Sequence, residues 1–397
     1  MRKLVSLLVA LACTFFLCAC GGSDSDVAAP QASAVGHLQL DYATQFDVEY
    51  REDGTSMLTI GGTERYYLVP KAQTKAQATN DAAPPTATEG DATVITLPIE
   101  NTYLAASSSM DFFRQLDALG CVRFTSTKAQ DWSLPEVVAA LNEDSMTYVG
   151  KYSAPDYELV LSQGADVAIE STMIYHAPDV AERLEALGIP VLVERSSYET
   201  SPLARLEWIK LYGLLTGRLD EAEEFFARQV ELLEKTTQNM KSERGKDVPT
   251  VAFFSIGPNG RVVVRKPGDY VSQMIELAGG TYFLGTETPQ DAGALSTMNM
   301  EMESFYEAAH DADVIIYNSA IDATLESVDE LVAKNPRLAD FAAVREHNVW
   351  CTGKDLFQQP TCAAQLIEEM NAVFCDKTKD DSSFIHLYHV GAEAPGE

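Results

Sequence analysis

Chemistry in this chain has to be sought among six histidines, and most of them are scattered. His37, His386 and His389 lie in terminal segments. His310 and His347 fall on predicted helix ends or loops, where a solvated histidine is the ordinary outcome. His176 is different. It closes the run Glu170-Ser171-Thr172-Met173-Ile174-Tyr175-His176 at the end of a predicted strand. Met, Tyr and His together can ligate a metal or pack on a macrocycle. An ordinary loop with Tyr175 packed and His176 exposed accounts for them equally well. Ser107, Ser108 and Ser109 lead into a predicted helix at Met110. Their hydroxyls and amides suit an anion at a helix start, or simple capping. Arg265 and Lys266 suit a carboxylate or phenolate, or form a solvated charge pair.

Several catalytic motifs are absent, and two further readings rank lower: a free zinc or manganese binding protein of an importer, and, below it, an exported α/β hydrolase or lyase. There is no Walker loop, no dinucleotide glycine pattern after a strand, no Gly-x-Ser-x-Gly elbow and no His-Glu-x-x-His. An exported hydrolase or lyase would have to use Glu170 and His176, and no nucleophile–base pair supports it. A bare zinc or manganese site wants several His and carboxylates converging, and only His176 is well placed. No resident cofactor is implied.

These residues are positioned by alternating strands and helices. Strands are predicted over 101–106, 122–125, 147–150, 166–169 and 191–194, with helices between them. Such alternation implies a parallel sheet covered on both faces. Ligands of such sheets sit at the carboxyl ends of the strands. In the first lobe those ends carry Ser107 to Met110, Tyr152, the run 170–176 and Tyr198. A second alternation starts at Thr250, with Asn259-Gly260 turning a hairpin. Its ends carry Arg265, Lys266, Asn318, Ser319, Lys354 and Phe357.

Between the two alternations lies residues 201–247. Ser201 is a predicted N-cap with Pro202 at the first helical position. Gly217 breaks the helix. A second helix then runs with Leu219, Ala222, Phe226, Val230 and Leu233 on one stripe. The predicted fold is α/β, with two Rossmann-like lobes whose parallel sheets are joined by a single long rigid helix. Its divisions are 1–19, 20–36, a β-rich extension with a loose insertion at 37–92, a first lobe at 93–200, linking helices at 201–247, a second lobe at 248–376 and a tail at 377–397.

The chain has 397 residues, is 46% apolar and carries a formal charge of −30. So acidic a surface repels nucleic acid. Arg2 and Lys3 precede an apolar run that ends at Leu17-Cys18-Ala19-Cys20-Gly21. A basic n-region and a short apolar core make an export signal. The ending resembles a bacterial lipobox, with Cys20 the lipidated residue. Residues 21–34 are small and polar, as a tether requires. Of the later cysteines, Cys362 and Cys375 are about 20 Å apart by helical rise, too far to pair. A Cys351–Cys362 pair is possible, and the disulfide state of Cys121, Cys351, Cys362 and Cys375 is left open.

The combination resembles a known family, the class III solute-binding proteins of ABC importers for iron-siderophores, haem and vitamin B12. The resemblance is carried by NTYLAASSSMDFFRQLDALG (101–120), YVGKYSAPDYELVLSQGADVAIE (148–170) and LGIPVLV (187–193). In the second lobe it is carried by DYVSQMIELAGG (269–280) and MESFYEAAHDADVII (302–316). It covers roughly residues 93–376. The resemblance implies a monomeric binding lipoprotein, not an enzyme, held outside the membrane by its lipid anchor at the cell surface or in the periplasm. A metal-chelate ligand would sit between the lobes and pass to a permease dimer with its ATPase. Ser107, Ser108, Ser109, Met110, Tyr152, Met173, Tyr175, His176, Tyr198, Arg265, Lys266 and Asn318 are the expected ligand residues. By position, Glu158 and Glu303 match the family's permease-docking acids.

Overall fold

The structure is a computed structural model that describes residues 32–73, 88–89, 92–243, 248–285, 297–376 and 382–391. Cys20, its tether and most of the expected insertion lie outside the described residues. The extension is a sheet of six strands: β1 (Ala34–His37), β2 (Phe46–Arg51), β3 (Ser56–Ile60), β4 (Glu64–Pro70), β5 (Thr88–Glu89) and β6 (Ala92–Leu97). Their order is β1-β2-β3-β4-β6-β5, with only β4 and β6 parallel. Asp53-Gly54 turns β2 into β3. Gly54 takes a φ of 79°, and Asp53 accepts from both the amide and the hydroxyl of Thr55. The alternation in β2 and β3 puts Phe46, Val48, Leu58 and Ile60 on one face, which joins the core of the first lobe.

The first lobe holds β7 (Thr102–Leu104), β8 (Val122–Thr125), β9 (Thr147–Tyr148), the hairpin strands β10 (Gly150–Lys151) and β11 (Ala154–Pro155), β12 (Val167–Ser171) and β13 (Val191–Glu194). Its main sheet runs β13-β12-β7-β8-β9, every pair parallel. Helices α1 (Met110–Gln115) and α2 (Pro135–Asn142) cover one face. Helices α3 (Tyr157–Ser162) and α4 (Pro178–Ala186) cover the other. All five strand ends therefore face one way, as the alternation implies.

The link is three helices, α5 (Pro202–Glu207), α6 (Ile209–Thr216) and α7 (Leu219–Glu243). Ser201 caps α5 with its hydroxyl on the Ala204 amide. The expected first helix is divided at Trp208. That indole is fully buried and donates to Glu199, which sets the bend. Gly217 closes α6 in the left-handed conformation, φ 76°. A side chain on Gly213 would meet Ala222 at 2.6 Å, so α6 and α7 pack backbone to backbone there. At 25 residues, α7 spans about 37 Å.

The second lobe holds β14 (Thr250–Ile256), β15 (Val262–Arg265), β16 (Thr281–Tyr282), β17 (Thr297–Met300), β18 (Val314–Tyr317), β19 (Val349–Thr352) and β20 (Leu387–His389). Its helices are α8 (Tyr270–Leu277), α9 (Met302–Ala309), α10 (Val328–Lys334), α11 (Ala342–Arg345) and α12 (Ala363–Asp376). The order is β17-β15-β14-β18-β19-β20, with β16 also on β14. The central ladder β14-β18-β19 is parallel, and the edges are antiparallel. The segment expected as a tail thus supplies an edge strand. Glu369 holds it there by accepting from the amides of Ile385, His386 and Leu387. Cys351 and Cys362 are not joined. Cys362 is a free thiol whose Sγ lies 2.8 Å from the Gln359 carbonyl. No helix among the described residues is long and apolar enough to cross a membrane.

Candidate functional site

The carboxyl ends of the first sheet gather most of the expected residues. Ser107–Ser109 forms a 3-10 turn after β7, with Ser107 and Ser108 half-buried. Ser109 and Met110 are fully buried, Met110 inside the first core. Tyr152 is half-buried at the β10–β11 hairpin. The turn Thr172–His176 follows β12, capped by the Ser171 hydroxyl on the Met173 amide. Met173 and Tyr175 are 48% and 49% exposed, a large apolar surface for a turn of five residues. His176 is exposed beside them.

Two residues outside the sequence reading complete this corner. Arg195 follows β13, and its guanidinium lies 4.7 Å over the Tyr198 ring. It also crosses the β3–β4 turn so closely that a Cβ on Gly61 would sit 2.7 Å from it. Glu64, from β4 of the extension, accepts hydrogen bonds from the hydroxyls of Tyr66 and Tyr175. Burial, with that bond to Glu64, pushes the Tyr175 phenol up to about 12. Arg195 immediately precedes the turn Ser196–Tyr198, within reach of the strand-end argument. Nothing in the order of residues signals Glu64, because its role depends on where the extension docks.

Two carboxylates sit below this surface. Glu170 in β12 is fully buried, and neither oxygen finds a partner among the described residues. Burial alone pushes its carboxyl up to about 8. Glu194, the last residue of β13, is also raised by burial. It accepts from the Ser196 amide at 2.7 Å, and Arg205 opposes the rise.

The second lobe treats its expected residues differently. Arg265 is buried and forms a two-point pair with Asp269, at 2.7 and 2.6 Å. The rings of Tyr270 and Phe357 lie 5.2 and 5.4 Å from its guanidinium. The carboxylate that Arg265 holds thus belongs to its own lobe. Lys266 is half-buried. Asn318 is buried and caps the turn Ser319–Ile321 through the Ala320 amide.

Among the described residues, side-chain contacts tie the first lobe and the link to the second lobe. Gln358 accepts from the Ser133 amide and donates to the Asp131 carbonyl, both at 2.8 Å. Asp111 accepts from the amide and hydroxyl of Thr361. Arg205 stacks on Tyr270 at 4.6 Å. A cavity beside that stack, also lined by Leu356 and Gln359, has about 10 Å³ of free volume, room for about one water. A larger opening, about 480 Å³, lies at the carboxyl ends of β14 and β18.

The sequence profile of the periplasmic binding protein family matches residues 111–356. The chain belongs to that family. A lipoprotein of Methanocaldococcus jannaschii is 24% identical over 273 residues, which is 67% of this chain and 62% of the relative. The chain thus spans less than two thirds of that relative's length. Among solved structures, a periplasmic haem-binding protein from Pseudomonas aeruginosa superposes with a TM-score of 0.54 at 18% identity, covering 70% of this chain and 94% of that one. A ferric hydroxamate transport protein from Saccharomonospora viridis gives 0.51 at 20% identity, covering 69% and 93%. A molybdate-binding protein from Haemophilus influenzae gives 0.55 at 14% identity, covering 70% and 87%. At such identities the likeness is one of fold.

Proposed function

We propose that this protein is the extracytoplasmic, Cys20-anchored ligand carrier of an ABC importer, and that it captures an intact metal chelate between its lobes. A siderophore, haem or a corrinoid is the class of ligand meant. The observation that carries the reading is the corner at the ends of β12 and β13. There Met173 and Tyr175 stand half exposed, and Arg195 lies against both Tyr175 and the Tyr198 ring. Apolar and aromatic surface with a few fixed polar groups suits an organic ligand of some size rather than a bare ion. The family assignment supports the reading, as do fold neighbours that include haem and ferric hydroxamate proteins. Glu158 and Glu303 are proposed as the permease contacts. Both are exposed in the first turns of α3 and α9.

The test is titration of the full-length protein with ferric siderophores, haem and cobalamin, with zinc, manganese and molybdate alongside. The expected result is tight binding of at least one chelate, recovered chemically unchanged. Tight binding of the inorganic ions alone overturns the reading.

A further inference from the structure

The cavity at the ends of β14 and β18 is lined by Ser255, Asp322 and Lys334, with Ile256, Pro258 and Val263 beside them. Lys334 ends α10 and gives one N–H to Asp322 at 2.6 Å. An ammonium has three N–H groups, and this side chain keeps 25% of its surface exposed. Asp322 does not depend on Lys334 alone. It also accepts from the Tyr317 hydroxyl at 2.6 Å and from the Ala323 amide at 2.8 Å. Its charge is therefore spread over three donors, and Lys334 retains donor capacity. Ser255 is 1% exposed, and its hydroxyl finds no partner among the described residues. A buried hydroxyl without a partner is costly, and it marks a place where an acceptor is missing. Ile256, Pro258 and Val263 make the remaining walls apolar, which strengthens a charge-assisted bond formed there.

We propose that this cavity receives a carboxylate arm of the bound chelate, with Lys334 as the principal donor. The proposal rests on the chelate reading above and narrows it to ligands that bear a free acid. Lys334 also lies 5.6 Å from the Tyr317 ring, which keeps the ammonium at the cavity. The pocket is neutral overall, so it selects by donated hydrogen bonds and not by excess charge.

The experiment compares haemin with its dimethyl ester, the same macrocycle without free acids, on full-length wild-type protein. A ferric siderophore with carboxylate arms and a neutral ferric trihydroxamate form a second pair, with cobalamin as an all-amide ligand. The expected result is a preference for the acid of roughly tenfold or more, the size of a hydrogen bond to a charged group. Lys334→Met should remove the preference, and Lys334→Arg should largely restore it. Equal binding of acid and ester, selective binding of cobalamin or the neutral trihydroxamate, or a preference that survives in folded Lys334→Met overturns the proposal. In those cases the chelate reading stands. If no organic chelate binds the wild type, the chelate reading itself fails and takes this proposal with it. The ester comparison needs no variant, so it does not depend on how Lys334→Met folds.

Discussion

Burial pushes the Glu170 carboxyl up to about 8, and its oxygens find no partner among the described residues. In the unfolded chain the same group ionises near its ordinary value of 4.5. Between the two values the folded state binds more protons than the unfolded state, so stability falls as pH rises. The stabilisation is full below about pH 4.5 and is lost by about pH 8. Each pKa unit is worth about 1.4 kcal/mol. Glu170→Gln stays neutral at every pH. The variant should match the wild type near pH 5 and melt higher at pH 8, by about 2–4 °C for each kcal/mol recovered. Thermal melts of both proteins at the two pH values decide it; parallel curves would show that Glu170 is ionised in the fold. In the sequence this residue stood out only as an acid near His176. Its burial follows from strand pairing on both sides of β12, which residue type does not reveal. Arg265 shows the same limit, since a charge at a strand end reads alike whether it meets a ligand or Asp269.

At the scale of elements, periodicity marked out strands, caps and the long helix well, because those depend on neighbours within a few residues. The docking of the extension was not legible, because it rests on carboxylates more than 150 residues away. Glu207 accepts from the amides of Asp41, Tyr42 and Ala43 and from Lys210 Nζ. Glu199 accepts from the amides of Thr44 and Gln45 and from the Trp208 indole. The loop at 41–45 is thereby fixed to the start of the linking helices. Removing one partner of a buried pair costs about 3–5 kcal/mol. Glu207→Ala is therefore expected to lose that much in urea unfolding, or not to fold. Glu224→Ala, from an exposed pair with Arg228, should change stability by less than about 1 kcal/mol. Similar small losses in both variants would mean that the extension is only loosely attached.

At the scale of the molecule, cross-lobe hydrogen bonds at Gln358 and Thr361 join two sheets that a long link also connects. Glu158 and Glu303 sit one per lobe, each exposed in the first turn of a helix. A carboxylate there is favoured by the helix dipole whatever its role, so position alone does not separate docking from solvation. Glu303 lies 3.4 Å from Arg337, with both side chains more than half exposed. Such a pair contributes about 0–1 kcal/mol and leaves the carboxylate available to a partner. If both acids meet cations of the permease, Glu158→Lys and Glu303→Lys place like charges together, which costs several kcal/mol at an interface. Among the described residues, neither acid is hydrogen-bonded or ion-paired through its side chain to a residue proposed for the ligand. Affinity for the chelate should therefore stay within about twofold. Uptake in cells carrying the cognate permease should fall at least about tenfold for each variant, since 1.4 kcal/mol is already a factor of ten, and further for the double variant. Normal uptake in both singles would make these acids ordinary helix starts. Loss of chelate binding with docking intact would instead move the ligand surface to the helix starts of α3 and α9.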